Sequence, residues 1–304
     1  MARRGDRMKT LLFIILAIAV CFSAYANTEP RSGVWTAELQ DDRVQMTLFR
    51  GSQSSEHRGM GWNNIMGFDE PLAHFAGLSK NDLQSSAANV QFELRRPAGV
   101  IAFEGRVANG TGAGHFHFTP SESFVHDMDA LGYTGFSDDQ LLVFAAHDFS
   151  PQTIRDLRDM GYQPNQREVE EIAIFRITPD FLREMAKAGY ANLTLREAVN
   201  FRVGRVDAAY IAQMRQLGYS DLSARKLADM AIIGVRPKFI EELRALGYDK
   251  LTAQQLTDMK VFGVTPDYIR KLAEKGYKNV PVDKLLKLRE MGADKILGLT
   301  ADHR

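Results

Sequence analysis

The dipeptide Gly-Tyr returns at Gly132-Tyr133, Gly161-Tyr162, Gly189-Tyr190, Gly218-Tyr219, Gly247-Tyr248 and Gly276-Tyr277, in steps of 29, 28, 29, 29 and 29 residues. A fixed step of this size marks supersecondary units stacked one on the next. It constrains the second half of the chain more tightly than any other feature.

The copy Gly247 to Lys275 shows what each unit must be. Gly247 suits the left-handed position that ends a helix, and Tyr248 follows where an apolar contact back onto that helix is expected. Leu251 and Thr252 supply an apolar residue and an N-cap hydroxyl, and Gln255 completes a capping box. Leu256 and Met259 line one face of a first helix, and Gly263 breaks it. Thr265 caps a second helix, with Pro266 in its first turn and Tyr268, Ile269 and Leu272 as its apolar stripe.

The other copies keep this grammar, with caps at Ser137, Thr194 and Ser223 and second-helix prolines at Pro151, Pro179 and Pro237. Leu141, Val169, Ala198, Leu227 and Leu285 fill the first-helix core; Ile154, Leu182, Ile211, Ile240 and Ile269 fill the second. Helices of about ten residues are unstable alone in water, so the units are expected to stack as an α-solenoid. The copy 161–188 is one residue short, with Asn165 in place of an apolar residue, and a local irregularity is expected there. The copy from Gly276 loses its proline and much of its second stripe, as a solvent-facing end repeat should.

Between Ser32 and Pro120 the period is two. Val34 to Leu39, Val44 to Phe49, Val90 to Leu94, Val100 to Val107 and His115 to Phe118 read as strands. Turns fall at 40–43, 97–99 and 109–112. Pro71 to Leu78 reads as a short helical or irregular insertion, and Ser121 to Leu131 as a helix. The expected fold class is α+β: five or six antiparallel strands in a small sandwich or partial barrel (27–120), docked on a helical-repeat domain (121–304).

The first residues read as an address. Arg3, Arg4, Arg7 and Lys9 precede the apolar run Leu11 to Phe22, and Ala24-Tyr25-Ala26 is a small-x-small exit, so residues 1–26 form a secretory signal. The run is too short to span a bilayer. Met8 is an alternative start, and Cys21 offers an alternative lipoprotein reading. Cleavage after Ala26 removes four bases, one acid (Asp6) and the single cysteine, leaving a mildly acidic, thiol-free chain expected in the periplasm or secreted. Lys+Arg and Asp+Glu are 38 each over 304 residues, so no basic excess points to nucleic acid. One cysteine excludes a disulfide scaffold and Cys-built metal sites.

Export makes hydrolases and metal enzymes natural suspects, but H-E-x-x-H, G-x-S-x-G and Walker motifs are absent. The glycine-rich run Asn109 to Gly114 leads into a strand rather than a helix, so it reads as a hairpin turn, not a phosphate cradle. His115 and His117 share a strand face, but two imidazoles do not make a zinc site; His57, His74 and His126 add nothing specific. No catalytic, cofactor-binding or metal-binding residue is therefore assigned. The six tyrosines read as packing groups rather than a stacking platform, and Met185, Met214, Met230 and Met259 as core fillers. Mixed charge such as Glu241-Glu242-Arg244 marks a solvated helix face.

The stretches GYDKLTAQQLTDMKVFGVTPDYIRKLAEKGY and VQFELRRPAGVIAFEGRVANGTGAGHFHF, within a similarity covering about Ser32 to Arg304, resemble the extracytoplasmic C-terminal region of bacterial BlaR1-type membrane metallopeptidases. Those relatives carry their zinc protease in a separate membrane portion, so no catalytic residue transfers. The resemblance implies a sensor or interaction module. The function expected is thus an exported, non-catalytic protein binding a protein, peptide or envelope polymer through its repeats. An alternative is a carbohydrate-active or other hydrolytic enzyme whose site at the junction draws on Glu93, Glu104, Asp127 and Asp129. A further alternative is a regulatory partner of a membrane metallopeptidase.

Overall fold

The structure is a computed structural model that describes residues 31–50 and 65–292; residues 1–26, read above as a secretory signal, with Cys21 among them, and His57 lie outside them. Two compact units divide the chain, one ending at Arg176 and the other beginning at Ile177.

The first unit opens with a single curled antiparallel sheet of seven strands: β1 (Ser32–Gln40), β2 (Arg43–Phe49), β3 (Ile65–Pro71), β4 (Phe75–Ala76), β5 (Ala88–Arg96), β6 (Gly99–Ala108) and β7 (Thr111–Pro120). Their order is β3-β2-β1-β7-β6-β5-β4. Alternation places Trp35, Met46, Leu48, Phe92, Leu94, Ile101, Phe103, Phe116 and Phe118 on the buried face. Phe92 and Phe103 stack with centroids 4.7 Å apart, and Trp35 meets Phe92 edge-on at 5.4 Å.

The glycine-rich run has two jobs in this sheet. Asn109 and Gly110, both at positive φ, form a two-residue hairpin turn between β6 and β7. Gly112 on β7 and Gly105 on β6 then bed the indole: a Cβ at Gly105 or Gly112 would stand 2.9 or 3.0 Å from the Trp35 ring. The Trp35 Nε1–H donates to the carbonyls of Glu104 and His115 at 3.1 and 3.0 Å.

Two strands go beyond those expected from the alternation. β3 was hidden because its buried face carries Phe68 and then Glu70, a charge where the period calls for an apolar group. The stretch read as an insertion is a 3-10 turn, Leu72–His74, followed by the two-residue β4. A short helix, α1 (Lys80–Gln84), follows with a Ser79–Asp82 capping box and a buried Leu83.

From Glu122 the described chain is helical and every helix is nine residues long. These are α2 (Glu122–Ala130), α3 (Asp138–Ala146), α4 (Pro151–Asp159), α5 (Gln166–Ile174), α6 (Pro179–Lys187), α7 (Leu195–Val203), α8 (Ala208–Gln216), α9 (Ala224–Ile232), α10 (Pro237–Ala245), α11 (Ala253–Val261), α12 (Pro266–Glu274) and α13 (Val282–Glu290). The expected caps are all made: Ser137, Thr194 and Thr252 close capping boxes, and Ser223 and Thr265 accept from N3 amides. Each Gly-Tyr glycine takes a positive φ. At Gly218-Tyr219, for example, the Tyr219 amide reaches the Met214 carbonyl at 2.9 Å, the six-to-one bond of a Schellman stop.

The short copy is regular after all. Asn165 is the N-cap of α5, its side chain accepting from the Arg167 and Glu168 amides, and buried Pro164 takes the apolar position before it. The missing residue falls in the loop between Tyr162 and the cap, where it costs the helices nothing.

In the first unit α3 packs on β5, β6 and β7, with α5 against α3 and α4 against α2. Helix α3 is wrapped on more than one side, burying Leu141, Leu142, Phe144, Ala145 and Ala146. Phe144 contacts Phe124, Phe136 and Phe149 with centroids 5.7, 5.0 and 5.0 Å away. This apolar surplus binds the first helices to the sheet as one unit. In the second unit like packs on like: α7, α9, α11 and α13 form one row, and α8, α10 and α12 another. The closest pair is α7 with α9, where Gly204 lies against Ala228 and Ala231.

The Tyr219 hydroxyl donates to the Leu251 carbonyl of the next copy at 2.7 Å. Tyr219→Phe keeps the ring and strands that half-buried carbonyl. Urea unfolding should show a loss of about 1 kcal/mol, with the helical circular dichroism of the folded state unchanged.

Candidate functional site

Three places on the molecule collect chemistry, and they differ in kind. The first is the outer face of the sheet. There Ser32, Gln91, Glu93, Glu104, His115 and His117 line a shallow depression of about 650 Å³. His115 and His117 do share this face; His117 Nδ1 lies 3.1 Å from Ser32 Oγ. Glu104 sits directly across from His115, and Glu93 pairs with Arg95 at 2.6 Å.

The other two carboxylates of the expected junction site are elsewhere. Asp127 and Asp129 are on α2, and Asp127 faces Arg155 at 3.6 Å. The depression holding Glu93 and Glu104 includes neither. His126 is exposed on α2. Among the described residues no group of three or more His, Cys, Asp and Glu side chains is placed to hold a metal ion, and no helix is long and apolar enough to cross a membrane.

The second place is buried, and the alternation pattern gave no hint of it. Glu70, 2% exposed, ends β3 on its inner face. Its Oε2 accepts from His74 Nδ1 at 2.7 Å and from Arg96 at 2.8 Å, and its Oε1 accepts from Arg176. Arg96 also faces Asp148 at 3.6 Å. The arginines come from the end of β5 and from the residue just past α5; Asp148 lies just past α3. Asp148 and Arg176 both hold the left-handed conformation that ends those helices, where later copies carry Arg205, Gly234 and Gly263.

The charges in this cluster are strongly tuned. Burial alone would raise the Glu70 pKa, but the hydrogen bonds from His74 and Arg176 and the charges of Arg176 and Arg96 outweigh it and hold the carboxyl below its ordinary range. His147, beside them, is pushed down to about 4 by burial and by the Arg176 charge, against a smaller opposing pull from Glu70. The cluster joins two strands to the ends of two helices of the first unit. All its charges are matched, which suits a clamp.

The third place is the repeat array. Each Gly-Tyr tyrosine with a described partner reaches forward to the carbonyl just before the next copy's N-cap: Tyr133 to Pro164, Tyr190 to Leu222, Tyr219 to Leu251 and Tyr248 to Val280, at 2.7 to 3.1 Å. Burial raises the pKa of Tyr190, Tyr219 and Tyr248. The tyrosines thus serve packing, though across copies as well as within one.

A second link pairs a cation with the second-helix aromatic of the copy before. Arg202 lies over Phe181, Lys260 over Phe239 and Arg289 over Tyr268, 3.8, 4.7 and 4.8 Å from the ring centroids. One copy has Ala231 at this position, and there Arg236, five residues on, covers Tyr210 at 5.2 Å. Arg244 donates to the Leu217 carbonyl at the end of α8. The four methionines Met185, Met214, Met230 and Met259 are buried.

Against this interior, one exposed feature recurs. The last residue of successive first helices is apolar and open to solvent: Val203 at 47%, Ile232 at 45% and Val261 at 64%. Phe262 beside Val261 is also exposed. Spaced by 29 residues, Val203, Ile232 and Val261 form a ladder along one row of helices in the second unit, and Ile174 at the end of α5 in the first unit is exposed at the same register position, at 38%. The repeat alignment could have shown it, had the last helical position been compared instead of the core.

Comparison of the chain with protein-family models, with curated proteins and with solved structures finds no match.

Two consequences of the buried cluster can be measured. Glu70→Gln leaves two guanidiniums facing each other without their carboxylate, and should cost about 3 kcal/mol in chemical unfolding. Lowering the pH should also weaken the fold in two stages. Between about 6.5 and 4 the unfolded chain takes up a proton at His147 that the folded chain refuses, so stability falls across that window. Below the ordinary glutamate pKa of 4.5 the unfolded chain likewise protonates Glu70 before the folded chain does, and stability falls further. His147→Gln should flatten the first stage and leave the second.

Proposed function

We propose that this chain is an exported, non-catalytic interaction module that binds a protein, a peptide or an envelope polymer through the surface of its helical repeats. The observation that carries this reading is the ladder of Val203, Ile232 and Val261. Three branched apolar side chains, all exposed, recur at one register position on successive helices of one row rather than scattering over the surface. The tyrosine and cation–ring links hold the rungs at fixed spacing, so a partner meets a surface already ordered. Export rests on the reading of residues 1–26, with the periplasm or exterior as the destination. Within this class, the resemblance to the extracytoplasmic region of BlaR1-type metallopeptidases makes such a membrane protein one partner to test.

Cross-linking in the intact cell envelope, followed by mass spectrometry, tests the proposal. The chain with Val203→Ser, Ile232→Ser and Val261→Ser should lose the cross-links that the unaltered chain forms, while its melting temperature stays within a few degrees. An identical cross-link pattern from both chains refutes a role for the ladder.

A further inference from the structure

The outer face of the sheet carries a histidine pair that a binding role for the repeats leaves unused. His115 and His117 stand two residues apart on β7, on the side that lines the shallow depression of about 650 Å³. Two residues of extended chain set their Cβ atoms about 7 Å apart. Two imidazoles leaning together close that span on one ion, each nitrogen reaching it at about 2.0 Å. His117 Nδ1 meets Ser32 Oγ at 3.1 Å, which orients the ring and leaves Nε2 as the donor to a metal. Across from His117 on β6 is Ala102, whose small side chain leaves room for an ion and its waters. Glu104 lies across from His115, and Glu93 across from Ala102, so two carboxylates stand near the site of a double positive charge. The opposing cations on this face are Arg95, which pairs with Glu93 at 2.6 Å, and Arg106, the next outward residue along β6.

We propose that His115 and His117 form an open binding site for a divalent transition-metal ion, copper(II) above all. The site lies apart from the repeats and does not depend on their role. A zinc site asks for a third protein ligand, and among the described residues no third His, Cys, Asp or Glu is placed with these two. Copper(II) has no such need. It accepts nitrogen and oxygen donors in a tetragonal plane, and among the divalent ions of its row it binds a given site of such donors most tightly. Two Nε2 atoms supply half of that plane and two waters the other half. Glu104, across the strand pair, accepts a hydrogen bond from a bound water and offsets part of the charge. Because half of its ligands are waters, the site takes up and releases its ion readily, which suits a carrier or a sensor of the metal.

Calorimetric titration of the full chain with Cu2+, Ni2+ and Zn2+ from about 1 to 100 µM, with electron paramagnetic resonance of the copper complex, tests this. One Cu2+ per chain should bind, its spectrum split by two nitrogens, and Ni2+ and Zn2+ should bind more weakly. His115→Gln and His117→Gln keep a polar side chain of similar size. Each should remove saturable binding in this range and leave at most one nitrogen in the spectrum. Ser32→Ala, which frees the His117 ring, should weaken copper binding about tenfold without removing either ligand. His57→Gln, His126→Gln and His303→Gln should change nothing. Circular dichroism melting of each variant shows whether the fold persists. No saturation below about 100 µM, copper held as tightly by His115→Gln or His117→Gln as by the unaltered chain, or Zn2+ bound more tightly than Cu2+ overturns the proposal. Loss of copper with His57→Gln, His126→Gln or His303→Gln assigns the ion to another site and overturns it as well.

Discussion

A nine-residue helix closes too few hydrogen bonds to offset the cost of its own nucleus. Twelve such helices follow one another here, so the array stands or falls on what each gains from its neighbours. The gains come in three forms. Apolar stripes meet between copies, tyrosine hydroxyls reach the carbonyl before the next cap, and cations lie over aromatic rings one copy back. The last two reach across copies at fixed register positions, so they set the spacing of the copies as well as their stability. Where Ala231 offers no base, Arg236 makes the equivalent contact from a second position on the chain.

The sheet solves a different problem. Its strands need a closed core, and the curl supplies one around Trp35 and the phenylalanines. Its edge strand β3 is secured by charge. Glu70 draws Arg96 from the end of β5 and Arg176 from beyond α5 into one buried cluster. Removing an ion from water is costly, and such a cluster persists only when every charge is matched. The depressed pKa of His147 follows first from its burial and then from the Arg176 charge beside it.

The helical half was legible because its signals are local. A cap, a proline at the first turn and a glycine at the stop each act within a few residues, and six copies repeat the message. The strands at Val34, Val44, Val90, Val100 and His115 were legible through alternation. What could not be read depended on distance. Glu70 breaks the alternation of β3, and only its partners 26 and 106 residues away make that tolerable. Asn165 looked like a defect while the copies were aligned by length, and becomes an ordinary N-cap once the deletion is placed in the loop. The four junction carboxylates are spread over separate elements, Glu93 on β5, Glu104 on β6 and Asp127 and Asp129 on α2.

That loop has a wider consequence. Every helix keeps its length while the segment between tyrosine and cap changes by one residue, so insertions and deletions have a harmless place to accumulate. A chain built this way can drift in sequence length without losing the alignment of its copies, and can gain or shed a whole unit by recombination between any two equivalent joints.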